Sequence, residues 1–504
     1  MLAEMLYDSA RQNPDKIAVW CDGETMTYAE FAGLVSRHSN FLLQKGVKYR
    51  HHIGIPMNNS IQSVALIFAA ANIGATLVPL NPTLPPYAIE TAFRSGGVRH
   101  VIARRAFFEQ RGHAGAMEVE GVKICIDGEY DGTLPFGEAN KCSSERPIIP
   151  EVTGEETLIL TMTSGSTGNP KPIQLTQKNK LDRAIAHIRL YNITEDDRIL
   201  AATPLYHSLA ERLVIMPLLI GATSVLLPRY TPQLWLKCVR DQNVTFTIAV
   251  SVQLAQLAEL LFSPFVPEID SLRCVVSSSA LLESYTRNEL IKKLKCDFHE
   301  MYGTSETSTV TDINFRESLN KKQSVGKPLP EADIRIIRDD SSVAPAGEIG
   351  EIAVKTNLRC AGYYGLPEKM EESMADGYFR TGDLGYMDKD GYLYFSGRKK
   401  ELIITGGINV YPSDVEQVVG IMPEVAECAA FAYPDERLGE VVALAVVLKE
   451  GAVLLKRAVQ MHCARNLADF QQPHKIFFIT ELPKNSMGKP VKSKLPELVA
   501  GMEG

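Results

Sequence analysis

Short apolar runs alternate with longer amphipathic segments through most of the chain. The runs 158–163, 199–203 and 272–277 are rich in aliphatic residues, which is typical of buried strands. Segments that alternate with such runs, such as 281–295 between 272–277 and the predicted strand 298–302, repeat their apolar residues with helical spacing. Strands that alternate with helices form mainly parallel sheets covered by helices, so the pattern predicts an α/β fold.

Capping residues mark the starts of several predicted helices. A first helix is predicted over Leu2–Gln12, and Thr27 with Glu30 three residues later forms a capping-box pattern for the next helix. Thr176 caps a helix that is predicted to run to about Asn192.

A unit of helix, glycine and strand occurs twice. Residues 73–76 read Ile-Gly-Ala-Thr between a predicted helix and a predicted strand, and residues 220–223 repeat this sequence in the same setting. The repeat predicts two similar α/β lobes, although a Gly-Ala pair serves many helix-to-strand connections.

The pattern changes after about residue 325. Strands shorten and turns become frequent up to residue 397, which predicts a small antiparallel, barrel-like part. After the basic segment 398–400 the chain becomes a compact α+β sequence of βαβ type. We therefore predict a large N-terminal domain of two α/β lobes plus the barrel-like part, 1–397, and a small mobile C-terminal domain, 398–504.

Composition narrows the class of protein. The 504 residues are 45% hydrophobic and 22% charged, and the net charge of −7 argues against a nucleic-acid partner. The apolar stretches 63–80 and 213–228 are broken by glycine and end at proline, so we expect a helix and a strand in each and no membrane span. Nine cysteines without a C-x-x-C pair and a start without a signal-peptide pattern predict buried free thiols in a cytoplasmic protein.

A loop of small residues follows the strand 158–163. Two glycines permit backbone N–H groups to converge, three hydroxyls add donors, and Lys171 adds a positive charge, which together suit a polyphosphate. The loop differs from a P-loop because Lys171 neither follows a glycine directly nor precedes Ser or Thr. A polar linker has the same composition, so this loop alone leaves both interpretations open. Its residues are Ser164, Gly165, Ser166, Thr167 and Gly168.

A second motif, Tyr302-Gly303-Thr304-Ser305-Glu306, lies at the end of a predicted strand, where open α/β sheets bind ligands. Tyr302 offers a flat face for a base, Gly303 permits close backbone approach, and Thr304 and Ser305 offer hydroxyls. Glu306 is a hard oxygen ligand suited to Mg²⁺ beside phosphates, or alternatively a helix cap.

Two further motifs lie in the last quarter of the chain. Asp383, after the Arg380-Thr-Gly turn, can accept the two hydroxyl hydrogens of a ribose, or can simply brace the turn. Lys489 ends the polar loop 484–489, where a solvated surface charge is the alternative interpretation.

Five motifs in this order and with these separations resemble the adenylate-forming superfamily of acyl-CoA synthetases, adenylation domains and luciferases, and are most similar to the acyl-CoA synthetases. The resemblance covers nearly the whole chain. The motifs are 163–171, 302–306, 380–383, 397–398 and 488–489.

The resemblance implies a role for each motif. The segment from Thr163 to Gly168, with Lys171, would wrap the β- and γ-phosphates of ATP. Tyr302 would stack on adenine, Ser305 would contact the α-phosphate and Glu306 would hold Mg²⁺. The remaining implied residues are Asp383 with Arg398 at the ribose, Lys489 at the carboxylate and α-phosphate, Lys400 at a hinge, and Gly406 and Gly407 in the loop that faces the second substrate after the small domain rotates.

The chain departs from the family pattern in two places. Ser305 replaces the usual Thr and keeps the hydroxyl, whereas 277–281 reads Ser-Ser-Ser-Ala-Leu where a glycine-rich stretch is usual. The second stretch should border the adenine and acyl pocket. His207, which follows a strand, either contributes to the acyl pocket or is a packed histidine satisfied by the backbone.

The resemblance implies an ATP-dependent ligase that converts a carboxylic acid to acyl-AMP, releases pyrophosphate and transfers the acyl group to the thiol of CoA. An acyl-AMP-forming amide ligase that uses an amine or amino acid, and a stand-alone adenylation enzyme for a carrier protein, remain open. A binding protein that has lost the chemistry would be expected to lack Glu306 or Lys489. The pocket candidates near His207, 250–251 and 277–280 are small or apolar, so an apolar or aromatic acid of modest size is expected.

Overall fold

The structure is a computed structural model that describes residues 1–110, 118–163, 171–262, 269–318, 320–321, 323–485 and 488–502. The chain forms two compact units. The first comprises Met1–Lys322, Leu329–Ala332 and Thr356–Met374, and the second comprises Gln323–Pro328, Asp333–Lys355 and Ala375–Gly504.

Strands and helices alternate through the first unit, as the apolar pattern predicted. The strands in chain order are β1 Ile17–Cys21, β2 Glu24–Thr27, β3 His52–Pro56, β4 Thr76–Leu80, β5 His100–Ala103, β6 Lys123–Cys125, β7 Leu134–Pro135, β8 Thr157–Thr163, β9 Lys171–Thr176, β10 Arg198–Ala201, β11 Thr223–Leu226, β12 Phe246–Val250, β13 Cys274–Ser278, β14 Asp297–Thr304 and β15 Ser308–Asn314. The helices are α1 Leu2–Gln12, α2 Tyr28–Gln44, α3 Ile61–Ile73, α4 Pro86–Ser95, α5 Arg105–Glu109, α6 Gln177–Leu190, α7 Ser208–Leu219, α8 Pro232–Asp241, α9 Ser251–Leu261 and α10 Ser284–Lys293.

The remaining elements follow residue 318. The strands are β16 Lys327–Pro328, β17 Ala332–Ile337, β18 Gly350–Thr356, β19 Gly362–Tyr363, β20 Met374–Ala375, β21 Tyr378–Met387, β22 Leu393–Arg398, β23 Ile403–Thr405, β24 Ile408–Val410, β25 Val425–Asp435, β26 Gly439–Leu448 and β27 Lys475–Phe478. The helices are α11 Pro367–Glu372, α12 Pro412–Gly420, α13 Lys456–Asn466 and α14 Leu495–Leu498.

Two sheets form the first unit. One has the strand order β15-β14-β13-β12-β10-β11-β1-β2, and the other has the order β19-β9-β8-β4-β3-β5-β6-β7. The interior strands of both sheets pair mostly in parallel, and the pairs β1–β2, β8–β9, β9–β19 and β14–β15 are antiparallel. Helix α3 is buried along its whole length and contacts β1 of one sheet and β4 and β8 of the other. A helix that is apolar all round belongs in such an interior position.

The two predicted Gly-Ala connections are confirmed. Gly74 has φ +67° and ends α3 before β4, and Gly221 has φ +78° between α7 and β11. The predicted capping by Thr27 and Thr176 is also confirmed, because each side chain accepts a hydrogen bond from the backbone N–H three residues later.

The second unit contains two smaller sheets. Strands β17, β18, β21 and β22 form the antiparallel part that the short strands predicted. Strands β24-β23-β26-β25 form the other sheet, and β27 pairs in parallel with β26. Along β26, Val442 and Leu444 pack against α12 and α13, while Ala443 and Ala445 pack against Phe477 and the C-terminal helix. Because both faces of this sheet are covered, the strand reads as a continuous apolar run.

The units group 333–355 and 375–397 with the C-terminal residues. The predicted boundary at 398–400 concerns a hinge between moving domains, and it stays a prediction. All nine cysteines are described and are free thiols, seven of them buried. In the parts of the chain that the structure describes, no helix is both long and apolar enough to cross a membrane.

Candidate active site

The Tyr302–Glu306 motif comprises the end of β14 and the first residues of the turn into β15, together called the 302–306 turn. The two strands pair antiparallel with an irregularity after Tyr302, so that Gly303 faces Thr309. A Cβ atom at Gly303 would lie 1.8 Å from the carbonyl oxygen of Ser308. Only glycine can therefore occupy this position without a clash, because the backbone of β15 approaches it closely.

Side chains within the turn close it. Thr304 and Thr307 exchange hydrogen bonds, because each backbone N–H donates to the hydroxyl of the other, at 3.2 Å and 3.1 Å. Ser305 and Glu306 lie between them and are half-buried. The turn therefore presents a hydroxyl and a carboxylate from a short, locally tied backbone.

A buried arginine, which the sequence analysis did not single out, holds the same turn. Arg183 on α6 is 2% exposed, and its guanidinium donates to the backbone oxygens of Ser305 at 3.1 Å and Glu306 at 2.9 Å. The same guanidinium donates to the carbonyl of Leu358 at 2.8 Å. The sequence gives no signal of this role, because an arginine in a helix is expected at the surface unless its neighbours in the fold are known.

The Glu306 carboxylate has a defined partner in the first unit. The hydroxyl of Tyr363 donates to Oε1 of Glu306 at 2.9 Å, and the backbone N–H of Cys360 donates to the carbonyl of Glu306 at 2.7 Å. The ammonium of Lys171 lies 5.3 Å from the centre of the Tyr363 ring. The structure thus connects Glu306 and Lys171, two residues that the sequence placed in separate motifs, through one tyrosine.

The predicted phosphate loop falls largely outside the described residues. Ser164, Gly165, Ser166, Thr167 and Gly168 are in this group, so their predicted role is untested. The strands on either side are described: β8 ends at Thr163, β9 begins at Lys171, and these two residues are antiparallel partners. The strand that the sequence predicted before the loop is confirmed.

His207 precedes α7. Its Nε2 atom is buried and has no hydrogen-bond partner among the described residues, and burial lowers the pKa of the imidazole to about 4. The side chain is therefore neutral at pH 7. An unpartnered buried nitrogen is unlike the histidine satisfied by its backbone, and it fits a position beside a polar ligand atom.

A second polar group lies on neighbouring strands. Ser277 and Glu300 are register partners on β13 and β14, and both are buried. The Ser277 hydroxyl lacks a hydrogen-bond partner among the described residues. Burial raises the pKa of Glu300 to about 7, and the nearby charge of Arg287 opposes this rise. Glu300 was missed in the sequence analysis, although a carboxylate two residues before Tyr302 in a buried strand is a usable signal.

The second unit carries Asp383. Strand β21 pairs with β18 around an irregularity, and Gly382 has φ +72°. Asp383 is 4% exposed and faces its register partner Arg398, with 3.5 Å between Oδ1 and Nε. The backbone N–H of Asp383 donates to the Thr381 hydroxyl at 3.1 Å. This bond holds the backbone at the irregularity, and irregularities of this kind set the direction of the side chains beside them.

Lys489 belongs to the same unit. The backbone N–H of Lys489 donates to Oδ1 of Asn485 at 3.0 Å, and the N–H of Asn485 donates to the Lys489 carbonyl at 2.9 Å, which closes a short loop. Burial and the charge of Arg398 lower the pKa of Lys489, whereas the carboxylates of Asp383 and Glu401 favour its charged form. The ammonium and the Asp383 carboxylate are thus electrostatic neighbours.

Gly406 and Gly407 form the turn between β23 and β24. Both have positive φ, +56° and +84°, as a two-residue hairpin turn requires, and both are exposed. Ile404 and Ile408 beside the turn are about half exposed. Lys400, the predicted hinge residue, lies in a short 3₁₀ helix after β22.

The Glu306 carboxylate fits Mg²⁺ bound beside phosphates. Among them no group of three or more acidic, histidine or cysteine side chains lies together as a metal cage. Mg²⁺ beside phosphates needs only one or two carboxylates, because water and phosphate oxygens complete its coordination. In the first unit, Glu306 is one carboxylate that could hold Mg²⁺ in this way. In the second unit, Asp383 would be an acceptor for ribose hydroxyls.

Known protein families and relatives match nearly the whole chain. The family model of AMP-binding enzymes matches residues 6–364, and the model of the AMP-binding enzyme C-terminal domain matches residues 414–489. The chain is 31% identical to the indoleacetate–CoA ligase of Aromatoleum aromaticum, with 99% of this chain and 98% of that protein aligned.

Two solved structures have the same fold. One is o-succinylbenzoate CoA synthetase (MenE) of Bacillus subtilis in complex with its acyl-adenylate intermediate, with a TM-score of 0.87, 29% identity and 97% of each chain covered. The other is ATP-bound MatB of Rhodopseudomonas palustris, with a TM-score of 0.91, 27% identity and coverage of 100% of this chain and 99% of that chain.

Proposed function

The chain belongs to the AMP-binding enzyme family and is an AMP-forming ligase, and on this premise we propose that it joins a carboxylic acid to coenzyme A through an acyl-AMP intermediate. In the first step a carboxylate oxygen attacks the α-phosphorus of ATP, and the bond to pyrophosphate breaks. In the second step the thiol sulfur of CoA attacks the acyl carbon, and AMP leaves with the carboxyl oxygen.

The first step needs charge compensation rather than a base. A carboxylic acid with a pKa near 4 is already ionised at pH 7, so the barrier comes from bringing an anion to a polyanionic nucleotide. Positioned cations and N–H donors lower such a barrier. In the proposal Lys171 and the 164–168 loop bind the terminal phosphates, Ser305 contacts the α-phosphate, and Lys489 contacts the α-phosphate and the substrate carboxylate.

Mg²⁺ would be held by Glu306 and would neutralise charge on the phosphates. Tyr302 would stack on adenine, with Gly303 and Thr304 beside it. In the second unit, Asp383 with Arg398 would bind the ribose, and the exposed turn at 406–407 would meet CoA.

The observation that carries the choice of a thiol over an amine is that relatives aligned with 99% of this chain are CoA ligases. The state of His207 points the same way. An amine nucleophile must lose a proton, and a general base works best when its pKa lies near the working pH. Because burial lowers the pKa of His207 to about 4, this imidazole is a weak base at pH 7. A thiol, whose ordinary pKa is near 8.5, loses its proton more readily and depends less on a general base.

We propose an aromatic acid of modest size as the substrate. Two relatives of the whole chain are ligases named for indoleacetate and 2-succinylbenzoate, at 31% and 30% identity. The candidate pocket residues Val250 and Ala280 are small and apolar, and the buried Nε2 of His207 offers one polar contact.

A pyrophosphate-release screen across aryl, arylalkyl and straight-chain acids tests the proposal. Each active acid is then incubated with ATP and either CoA or a mixture of amino acids, and the products are identified by mass. We expect aromatic acids to give the highest rates and an acyl-CoA product. An amide product would establish the amine alternative, and the absence of acyl-AMP with every acid would refute the proposal.

A further inference from the structure

Tyr363 lies between two groups that belong to different sequence motifs. Its side chain is 5% exposed, its hydroxyl donates to Oε1 of Glu306 at 2.9 Å, and its ring faces the ammonium of Lys171 at 5.3 Å. The hydroxyl of Tyr363 therefore contacts Glu306 while the ring face contacts Lys171.

The fold fixes this position from both sides. Tyr363 pairs with Ile173 in the antiparallel β19–β9 ladder, two residues beyond Lys171 on the same strand. The chain just before β19 also reaches the 302–306 turn, because the Cys360 N–H donates to the carbonyl of Glu306. Backbone contacts thus set the distance from Tyr363 to each partner.

Each contact has a specific chemical consequence. A phenol that donates to one oxygen of a carboxylate restricts the rotation of that carboxylate and leaves the other oxygen available to a cation. The electron-rich ring face favours an ammonium within about 6 Å.

We propose that Tyr363 is a positioning residue that orients the Glu306 carboxylate toward a divalent cation and the Lys171 ammonium toward nucleotide phosphates. The inference rests on the proposed function, because it assigns these two partners to a Mg-nucleotide. Tyr363 itself touches neither the reacting carboxylate nor the α-phosphorus in this assignment.

Two substitutions separate the two contacts. Tyr363→Phe removes the hydroxyl and keeps the ring, and Tyr363→Leu removes both. Tyr364→Phe is the matched control, since Tyr364 is the next residue and packs its ring against His52. Binding of ATP is measured by calorimetry at increasing Mg²⁺ concentration and without Mg²⁺, and thermal unfolding is recorded for every variant.

For Tyr363→Phe we expect the Mg²⁺ concentration that gives half-maximal enhancement of ATP binding to rise about fivefold to tenfold, the loss of a charge-assisted hydrogen bond. Metal-free ATP binding should stay within twofold. Tyr363→Leu should also weaken metal-free ATP binding about threefold, through the lost ring contact with Lys171. Tyr364→Phe should match the wild type in both measurements.

An unchanged Mg²⁺ dependence in a folded Tyr363→Phe variant would overturn the inference while leaving the proposed function intact. If the wild type binds no ATP with or without Mg²⁺ and makes no acyl-AMP, both fail together. Should Tyr363→Leu not fold, the Phe variant still decides, because it keeps the buried ring.

Discussion

The 302–306 turn of the first unit and two loops of the second unit, at 406–407 and 484–489, are held in different ways. In the first, backbone oxygens of Ser305 and Glu306 accept hydrogen bonds from the buried Arg183, and the Glu306 side chain accepts one from Tyr363. In the second, the turn at 406–407 is exposed, and the loop before Lys489 is closed by bonds to Asn485.

This difference suits different tasks. A site for phosphate and metal benefits from groups fixed before the ligand arrives, because no reorganisation is then needed during the reaction. A loop that meets a second substrate benefits from exposure and from ties that are local. The two kinds of loop should therefore respond differently to substitution.

The largest effect is expected at Lys489, which tests whether a locally tied loop carries the chemistry. Lys489→Ala should reduce acid-dependent pyrophosphate release about 100- to 1000-fold, the loss of one well-placed donor to developing charge. Lys484→Ala in the same loop, where the lysine pairs with Glu427, is the control and should remain within about twofold. Unchanged pyrophosphate release in Lys489→Ala would remove this residue from the reaction.

Substitution of one glycine in each turn, Gly303 and Gly407, compares how strongly the two turns are constrained. Gly303→Ala should lower the free energy of unfolding by about 3 kcal/mol and weaken ATP binding, because the new Cβ meets the Ser308 backbone at 1.8 Å. Gly407→Asn should lower the free energy of unfolding by less than about 1 kcal/mol. No described atom lies within 4 Å of a Cβ at this position, and Asn tolerates positive φ.

Urea unfolding followed by fluorescence, with ATP titrations, measures both effects. A Gly303→Asn variant serves as the cross-check, because it should be as damaging as alanine. Equal tolerance at both glycines would show that the 302–306 turn is not more constrained than the turn at 406–407.

Arg183 tests what the buried ties contribute. Arg183→Met removes the donors to the Ser305, Glu306 and Leu358 carbonyls, and we expect ATP affinity to fall about tenfold, near 1.4 kcal/mol. Arg183→Lys should have an ATP affinity between those of the wild type and Arg183→Met. An ammonium lacks the planar fork of donors with which the guanidinium reaches three oxygens. The exposed Arg189→Met on the same helix is the control. Normal ATP binding by Arg183→Met would show that the hydrogen bonds of Arg183 do not contribute to ATP affinity and that the residue serves only in packing.

The stability of the protein should also depend on pH, through His207. Burial lowers the pKa of His207 to about 4, so between pH 6.5 and 4 the unfolded chain binds this proton and the folded chain does not. Stability should therefore fall as pH decreases through this window, by on the order of 1–3 kcal/mol, and should show no such slope from this residue above pH 7.

Urea midpoints measured from pH 4.5 to 8 check this, and His207→Asn should flatten the slope. His38, whose pKa burial lowers to about 3, adds a slope of the same sign and remains in the variant. An identical slope in His207→Asn and the wild type would show that His207 is not buried as a neutral group.

Predictability from the sequence differed between local and distant features. The capping of α2 by Thr27 and the glycine connections at 74 and 221 were predictable, because capping and positive φ depend on residues a few positions apart. The α/β class followed from apolar periodicity. The compact units, in which 333–355 and 375–397 group with the C-terminal residues, depend on which strands pair, and that information is spread along the chain.

By itself the sequence determined the elements, the family and the identity of the motif residues, because these reside in local order and spacing. Only the tertiary structure decided that Arg183 holds the Ser305–Glu306 backbone across 122 residues, and that Tyr363 joins Glu306 to Lys171. Hydrogen bonds of this kind follow from three-dimensional proximity, which side-chain type does not encode. The burial that keeps His207 neutral is likewise a property of the packed chain.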